Sequence, residues 1–203
     1  MPSGFNQEEQ EHIKEKLQEA GRRLFGSVGL KKTSIKDLTE YAGIAQGSFY
    51  KFYDSKEVLY FRLLEKDEEE IKQALMIKFA SEKTIDADVL AEGLIEAIKQ
   101  VEQYPLIRRL YTTDEYEMVV RKLPKELLDE HGKEDTVSLG PLLDQLRMAG
   151  KIDSQLSNDI VSGALRALFL MMIHEKEIGE KVYKESLHFL AEAIAMRVFK
   201  EVK

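Results

Sequence analysis

The chain of 203 residues contains no cysteine, so neither a disulfide nor a thiolate metal site can hold its fold, a composition that fits the cytoplasm. Only four prolines and twelve glycines interrupt it. That leaves little turn chemistry for a β architecture, and the abundance of Leu, Ala, Glu, Lys and Ile favours helix. No long hydrophobic run occurs either: the longest, Leu165 to Ile173, is broken by Arg166 and is far too short to span a bilayer. The first ten residues are polar and acidic, without an apolar stretch behind a basic one. A soluble, cytoplasmic protein with no membrane partner is expected. A glycine-rich phosphate loop, an HExxH pair and a nucleophile elbow are all missing, so the sequence nominates no catalytic residue, no cofactor and no metal.

The formal charge of −7 argues at first against nucleic acid, because a duplex binder gains much of its affinity by neutralising phosphates. The average hides a division. Between Arg22 and Lys56 there are seven Lys/Arg against three acids, a local excess of about +4 that leaves about −11 for the rest. A basic module sits on an acidic body.

Ile13, Leu17, Ala20, Leu24 and Val28 recur at three- and four-residue intervals, which predicts a first helix from near Gln7 to Val28, ended by Gly29. Ser34 and Asp37 then stand as a capping box for a short second helix, and Gly43 after Ala42 supplies the turn that closes it. A third short helix is expected over about Gln46 to Phe52. Asp54, with Glu57 three residues on, marks the start of a long fourth helix to about Ala80. Beyond it we expect a helix near Asp86 to Gln103 and an irregular helical region from Leu106 to Leu128, punctuated by Pro124. A further helix near Glu134 to Met148 and two more, near Asn158 to Glu175 and Glu180 to Val202, complete an all-α chain of about nine helices.

Two short helices joined through a glycine turn, braced by a longer first helix, are the arrangement that presents a recognition helix to the major groove. The residues here resemble the TetR family of helix-turn-helix transcriptional regulators: Leu24-Phe25, Gly29, Thr33-Ser34-Ile35, Leu38, Ala42-Gly43-Ile44, Gly47-Ser48-Phe49-Tyr50 and Lys56-Glu57-Val58-Leu59 fall in that family's order and intervals. The similarity spans about a quarter of the chain. It implies an N-terminal three-helix DNA-binding domain, residues 1–56, and a C-terminal helical domain, 57–203, for ligand binding and dimerisation. Three places depart from the family pattern: Ala45 where Ser or Thr caps the third helix, Thr39 where alanine is usual, and the pair Phe52-Tyr53.

Leu38, Ile44 and Phe49 are spaced to fill the wedge between the first three helices, with Ala42 allowing close approach. Gln46, Ser48, Tyr50 and Lys51 project from the third helix and are of types that reach base edges or phosphate oxygens. Thr33, Ser34 and Lys56 stand at helix starts, where free N–H groups and the dipole favour phosphate. In the resembling family Thr33 and Lys56 would clamp the DNA backbone. The competing role is plain capping or solvation.

The segment from Ile160 to Ile173 is apolar on nearly every side and needs cover all round. Tyr183, Leu187, Leu190, Ile194 and Val198 form a stripe on the last helix. The family resemblance implies that these two helices pair with their copies as a four-helix bundle, which nominates Leu165, Phe169, Leu187, Leu190, Ile194 and Val198 for the homodimer interface. A purely intramolecular core is the alternative. The resemblance also implies a pocket for a small-molecule effector whose binding releases the dimer from a palindromic operator. Its candidates are Met76, Phe79, Tyr104, Arg108, Tyr111, Tyr116, Met118, Met172 and His174, each of a type that is more often ordinary core or a satisfied structural group.

The sequence leaves two other classes to compare. Glu9 to His12 and Glu185 to His188 are E-x-x-H pairs of the kind used by ferritin-like di-metal enzymes, but Glu185 and Glu192 fall nearly opposite the apolar stripe of their helix. A helical adaptor that does not read DNA is the other, and the basic cluster counts against it.

Overall fold

The computed structural model describes residues 5–101, 103–153 and 155–199, with backbone alone for 132–139. Among them the chain is helical throughout, and no β-strand occurs beyond an isolated bridge between Ile152 and Phe199. The expected end of the last helix at Val202 lies outside the described residues. No helix among the described residues is long and apolar enough to cross a membrane.

By compactness the chain forms two units. The first comprises Met1–Glu69 and Tyr104–Leu123, so it continues past residue 56 and takes in a later segment. Helix α1, Gln7–Val28, starts at a capping box in which Asn6 accepts from the Glu9 amide and the Glu9 carboxylate accepts from the Asn6 amide. Its buried face is Ile13, Leu17, Ala20, Gly21 and Phe25. The expected stripe therefore swings away from Val28, which is exposed, onto Phe25. Phe25 meets Tyr60 edge-on at 5.2 Å, and a Cβ on Gly21 would sit 2.7 Å from Leu63, so the last turns of α1 lie tight against the helix that follows the helix-turn-helix. Helix α2 is Ile35–Ala42; Gly43 ends it at φ 72, in the left-handed region.

Gln46–Lys51 is a 3-10 helix, and α3 runs Lys56–Ser81. Its start differs in detail from expectation: the Val58 amide donates to the Ser55 hydroxyl, so Ser55, not Asp54, caps it. Two short helices of the later segment, α5 (Pro105–Thr112) and α6 (Glu115–Lys122), complete the first unit where an irregular region was expected.

The second unit, Glu70–Gln103 and Pro124–Lys203, contains α4 (Ala87–Val101), α7 (Lys125–Met148), α8 (Asn158–Leu170), the short α9 (Glu175–Ile178) and α10 (Tyr183–Val198). Helix α7 begins directly after Pro124 and carries Pro141 inside it, so it is longer than the sequence suggested. The long apolar helix expected over 158–175 instead tightens into a 3-10 turn at Met171–His174 before α9. The core joins Leu94 of α4 and Leu168 of α8 to Tyr183, Leu187 and Ala191 of α10, and a neighbouring cluster joins Leu143, Leu146, Ile152, Leu156, Val161 and Val198. Gly93 has no room for a side chain: a Cβ would lie 2.8 Å from both Leu75 and Phe79.

These contacts correct part of the expected dimer face. Leu187 and Val198 are 3% and 2% exposed within one protomer, and Leu165, Leu190 and Ile194 pack against the same clusters. Phe169 is half-buried. The apolar residues that α8 and α10 leave outside are others: Ile160, Phe189 and Met196, with exposed Gly163, Ala167 and Ala193 at helical spacing beside them.

Candidate nucleic-acid interface

Three helix ends meet at one open surface concavity, lined by Ser34 and Ile35 at the start of α2, Gln46 and Tyr50 from the 3-10 helix, and Asp54 to Glu57 at the start of α3. Buried Leu38, Ala42 and Phe49, with half-buried Ile44, form the wedge that fixes these ends. Phe49 packs edge-on against Tyr50 at 5.6 Å and, with its ring tilted, against Tyr53 at 5.9 Å. Tyr53 is buried, and burial pushes its phenol up while a bond from Gln18 to its oxygen at 2.9 Å partly opposes the shift.

From this frame Gln46, Tyr50 and Lys51 face solvent, and Ser48 is half-buried. Tyr50 is 57% exposed although large and aromatic. Its ring is anchored on Phe49 while its hydroxyl is free to meet a partner. The Lys51 ammonium sits 5.1 Å from the centre of the Phe5 ring, and Phe5 also lies near Phe52. Ala45 offers no side-chain cap. Thr39, buried, spends its hydroxyl on the carbonyls of Ile35 and Lys36.

At the α2 start Ser34 accepts from the Asp37 amide, and both its hydroxyl and its amide donate to the Asp37 carboxylate. These bonds, the hydroxyl's first, hold the Asp37 carboxyl below the usual aspartate value. Thr33 is placed differently from the expectation. It is 1% exposed. Its hydroxyl and amide both donate to the Gly29 carbonyl, so neither is available to a phosphate. Lys56 is half-buried and donates to the carbonyls of Leu30 and Thr33 at 2.7 and 2.6 Å. An ammonium has three donors, which leaves one for the concavity.

A second group, which the sequence did not reveal, braces this surface from behind. Glu115 of α6, 2% exposed, accepts from the Leu30 amide at 3.0 Å, from two Arg109 nitrogens at 3.1 and 2.9 Å, and from the Tyr60 hydroxyl at 2.8 Å. Tyr60 is fully buried; burial, reinforced by the Glu115 charge, holds its phenol far above its ordinary value and keeps it a donor. Nothing local marks Glu115, which stands 85 residues from Leu30.

The remaining sequence candidates are divided. Tyr104, Arg108, Tyr111, Tyr116 and Met118 belong to the first unit, and Met76, Phe79, Met172 and His174 to the second. Arg108 and His174 are exposed, while Phe79 is buried against Gly93. Glu9, His12, Glu185 and His188 are all exposed, and among the described residues no three His, Asp or Glu gather as metal ligands would.

A short helix held by a wedge after a left-handed glycine turn, its outer side polar and its flanks made of helix starts, defines a helix-turn-helix protein. Residues 17–63 match the family described as bacterial regulatory proteins, tetR family. The helix-turn-helix is thus that of the TetR family, and the chain as a whole carries the all-helical fold of its transcriptional regulators. A TetR-family regulator from Pectobacterium atrosepticum superposes with a TM-score of 0.69 at 19% identity, covering 93% of each chain. SmeT, the repressor of the Stenotrophomonas maltophilia multidrug efflux pump SmeDEF, gives 0.61 at 16% identity over 93% of this chain and 91% of that one. RolR in complex with resorcinol gives 0.61 at 19% identity over 98% and 100%. No curated protein sequence matches the chain.

Proposed function

We propose that this protein is a ligand-responsive transcriptional repressor that binds a palindromic operator as a homodimer. One observation carries the reading: Gln46, Tyr50 and Lys51 stand exposed on a helix set beside the starts of α2 and α3, with one Lys56 donor to spare. In this reading Tyr50, Gln46 and Ser48 face base edges, while Lys51, Ser34 and Lys56 meet the phosphate backbone. Thr33 acts only through the turn it holds.

Residues 57–203 carry dimerisation and effector binding in this account. Ile160 and Phe189 with Met196 form apolar rows on α8 and α10 that a second copy would cover, since contiguous exposed patches of this kind mark interfaces. The presence of resorcinol in RolR and the efflux-pump target of SmeT support a small, partly apolar effector as the class. The protein works in the cytoplasm, where its operator is. Fluorescence anisotropy with a labelled duplex of mixed sequence tests the reading. The apparent affinity should fall linearly with the logarithm of salt concentration. Absence of any binding at low salt would favour the adaptor reading instead.

A further inference from the structure

We propose that Glu115 is a positioning residue for DNA binding, acting through the Gly29–Thr33 turn to set the Lys56 ammonium at the edge of the recognition surface; the inference rests on the DNA-binding reading above. Leu30 is gripped by both of its backbone groups, which belong to successive peptides. Its N–H donates to Glu115 Oε1 at 3.0 Å and its carbonyl accepts from Lys56 Nζ at 2.7 Å. The carboxylate polarises the Gly29–Leu30 peptide and strengthens the Gly29 carbonyl, which accepts from both the hydroxyl and the amide of Thr33, so the bonds that close the turn reinforce one another. The Thr33 carbonyl supplies the second hold on Lys56, and Thr33 is itself tied back to Gly29.

The turn is built so that this carboxylate can reach it. Gly29 adopts φ +87, and a Cβ there would lie 2.2 Å from an Arg109 nitrogen and 2.6 Å from Glu115 Oε1. Only glycine leaves room for the ion pair against the turn. Arg109 and Tyr60 occupy the remaining acceptor positions of Glu115, fixing its orientation. The consequence is specific: loss of the carboxylate frees the Leu30 N–H and loosens the Gly29–Thr33 turn, so the Leu30 and Thr33 carbonyls no longer hold Lys56 with one N–H pointing at the concavity.

A merely structural role would weaken the fold without singling out Lys56, so the test is a double-mutant cycle in the full chain. Hydrogen exchange at Leu30 to Thr33 and affinity for a mixed-sequence duplex are measured for wild type, Glu115→Gln, Lys56→Ala and the double variant. Glu115→Gln should raise exchange at Leu30 by about tenfold. It should weaken duplex binding about three- to tenfold in the wild-type background and have no further effect in the Lys56→Ala background. An equal loss in both backgrounds, or unchanged Leu30 exchange, overturns the proposal. Should Glu115→Gln fail to fold cooperatively, Arg109→Lys, which keeps the carboxylate but loosens its clamp, takes its place in the cycle. A wild-type chain that binds no duplex defeats the DNA reading, whereas the exchange comparison still decides whether Glu115 holds the turn.

Discussion

Tyr50 and Lys51 are separated from the wedge that holds them: the aromatic ring rests on Phe49, but the polar tips point outward. Tyr50→Phe and Lys51→Ala should therefore leave the melting temperature within a degree or two of wild type, as surface changes of under about 0.5 kcal/mol do. Binding to a preferred duplex should weaken, by about 1–3 kcal/mol if Tyr50 makes a base contact. Unchanged affinity for both variants would remove them from the interface. Asp37 gives a residue-scale prediction with a sign. Its carboxyl is lowered in the folded chain, so its bonds to Ser34 stabilise α2 above the unfolded aspartate pKa, and this contribution is lost as pH falls through the lowered value. An NMR titration of Asp37 in wild type and Ser34→Ala should show the carboxyl returning toward the ordinary value in the variant. At this scale the capping box was legible because its partners lie three residues apart. Thr33 was misread because a threonine before a helix looks like a surface cap, and its burial comes from Gly29 and the α3 start. Glu115 could not be found at all, since its partners Leu30, Tyr60 and Arg109 come from three other elements.

Helices α1 and α2 could be bounded from sequence to within a residue or so, because caps and glycines fix them locally, and the 46–51 helix, which has no side-chain cap, is confined between the Gly43 turn and the start of α3. The later helices were harder for a physical reason. On α10 the stripe Leu187, Ala191, Ile194 and Val198 and the stripe Phe189, Ala193 and Met196 are both apolar at helical spacing. Periodicity reveals two apolar faces without saying which one the protomer covers. The fold gives the first to its own core and leaves the second exposed. Three substitutions separate the faces. Phe189→Glu, with Met196→Glu as a second, should yield a folded monomer by light scattering, because the charge stays in water when the copies part. Leu187→Glu should unfold the chain, since an unpaired buried charge costs more than about 4 kcal/mol. A dimeric Phe189→Glu protein would place the seam elsewhere.

For the whole molecule, the expected all-α architecture with an N-terminal helix-turn-helix holds, whereas compactness adds α5 and α6 to the DNA-reading unit. Their helices lie far along the chain and carry no sequence mark of that role. If an effector binds residues beyond 57 and releases the operator, linkage requires it to prefer the free dimer over the operator-bound dimer by the same factor. Calorimetry on the two forms should show that difference, and equal affinities would rule out release by this route. The central claim, however, is that two copies of the 46–51 helix read DNA together. Selection of bound duplexes from a random pool tests it most directly. The account predicts enrichment of an inverted repeat whose half-sites lie about 34–36 Å apart, or a multiple of that, with enrichment abolished by combining Tyr50→Phe and Lys51→Ala. A pool that remains unenriched, or an enriched site that the doubly substituted protein selects equally well, would contradict it.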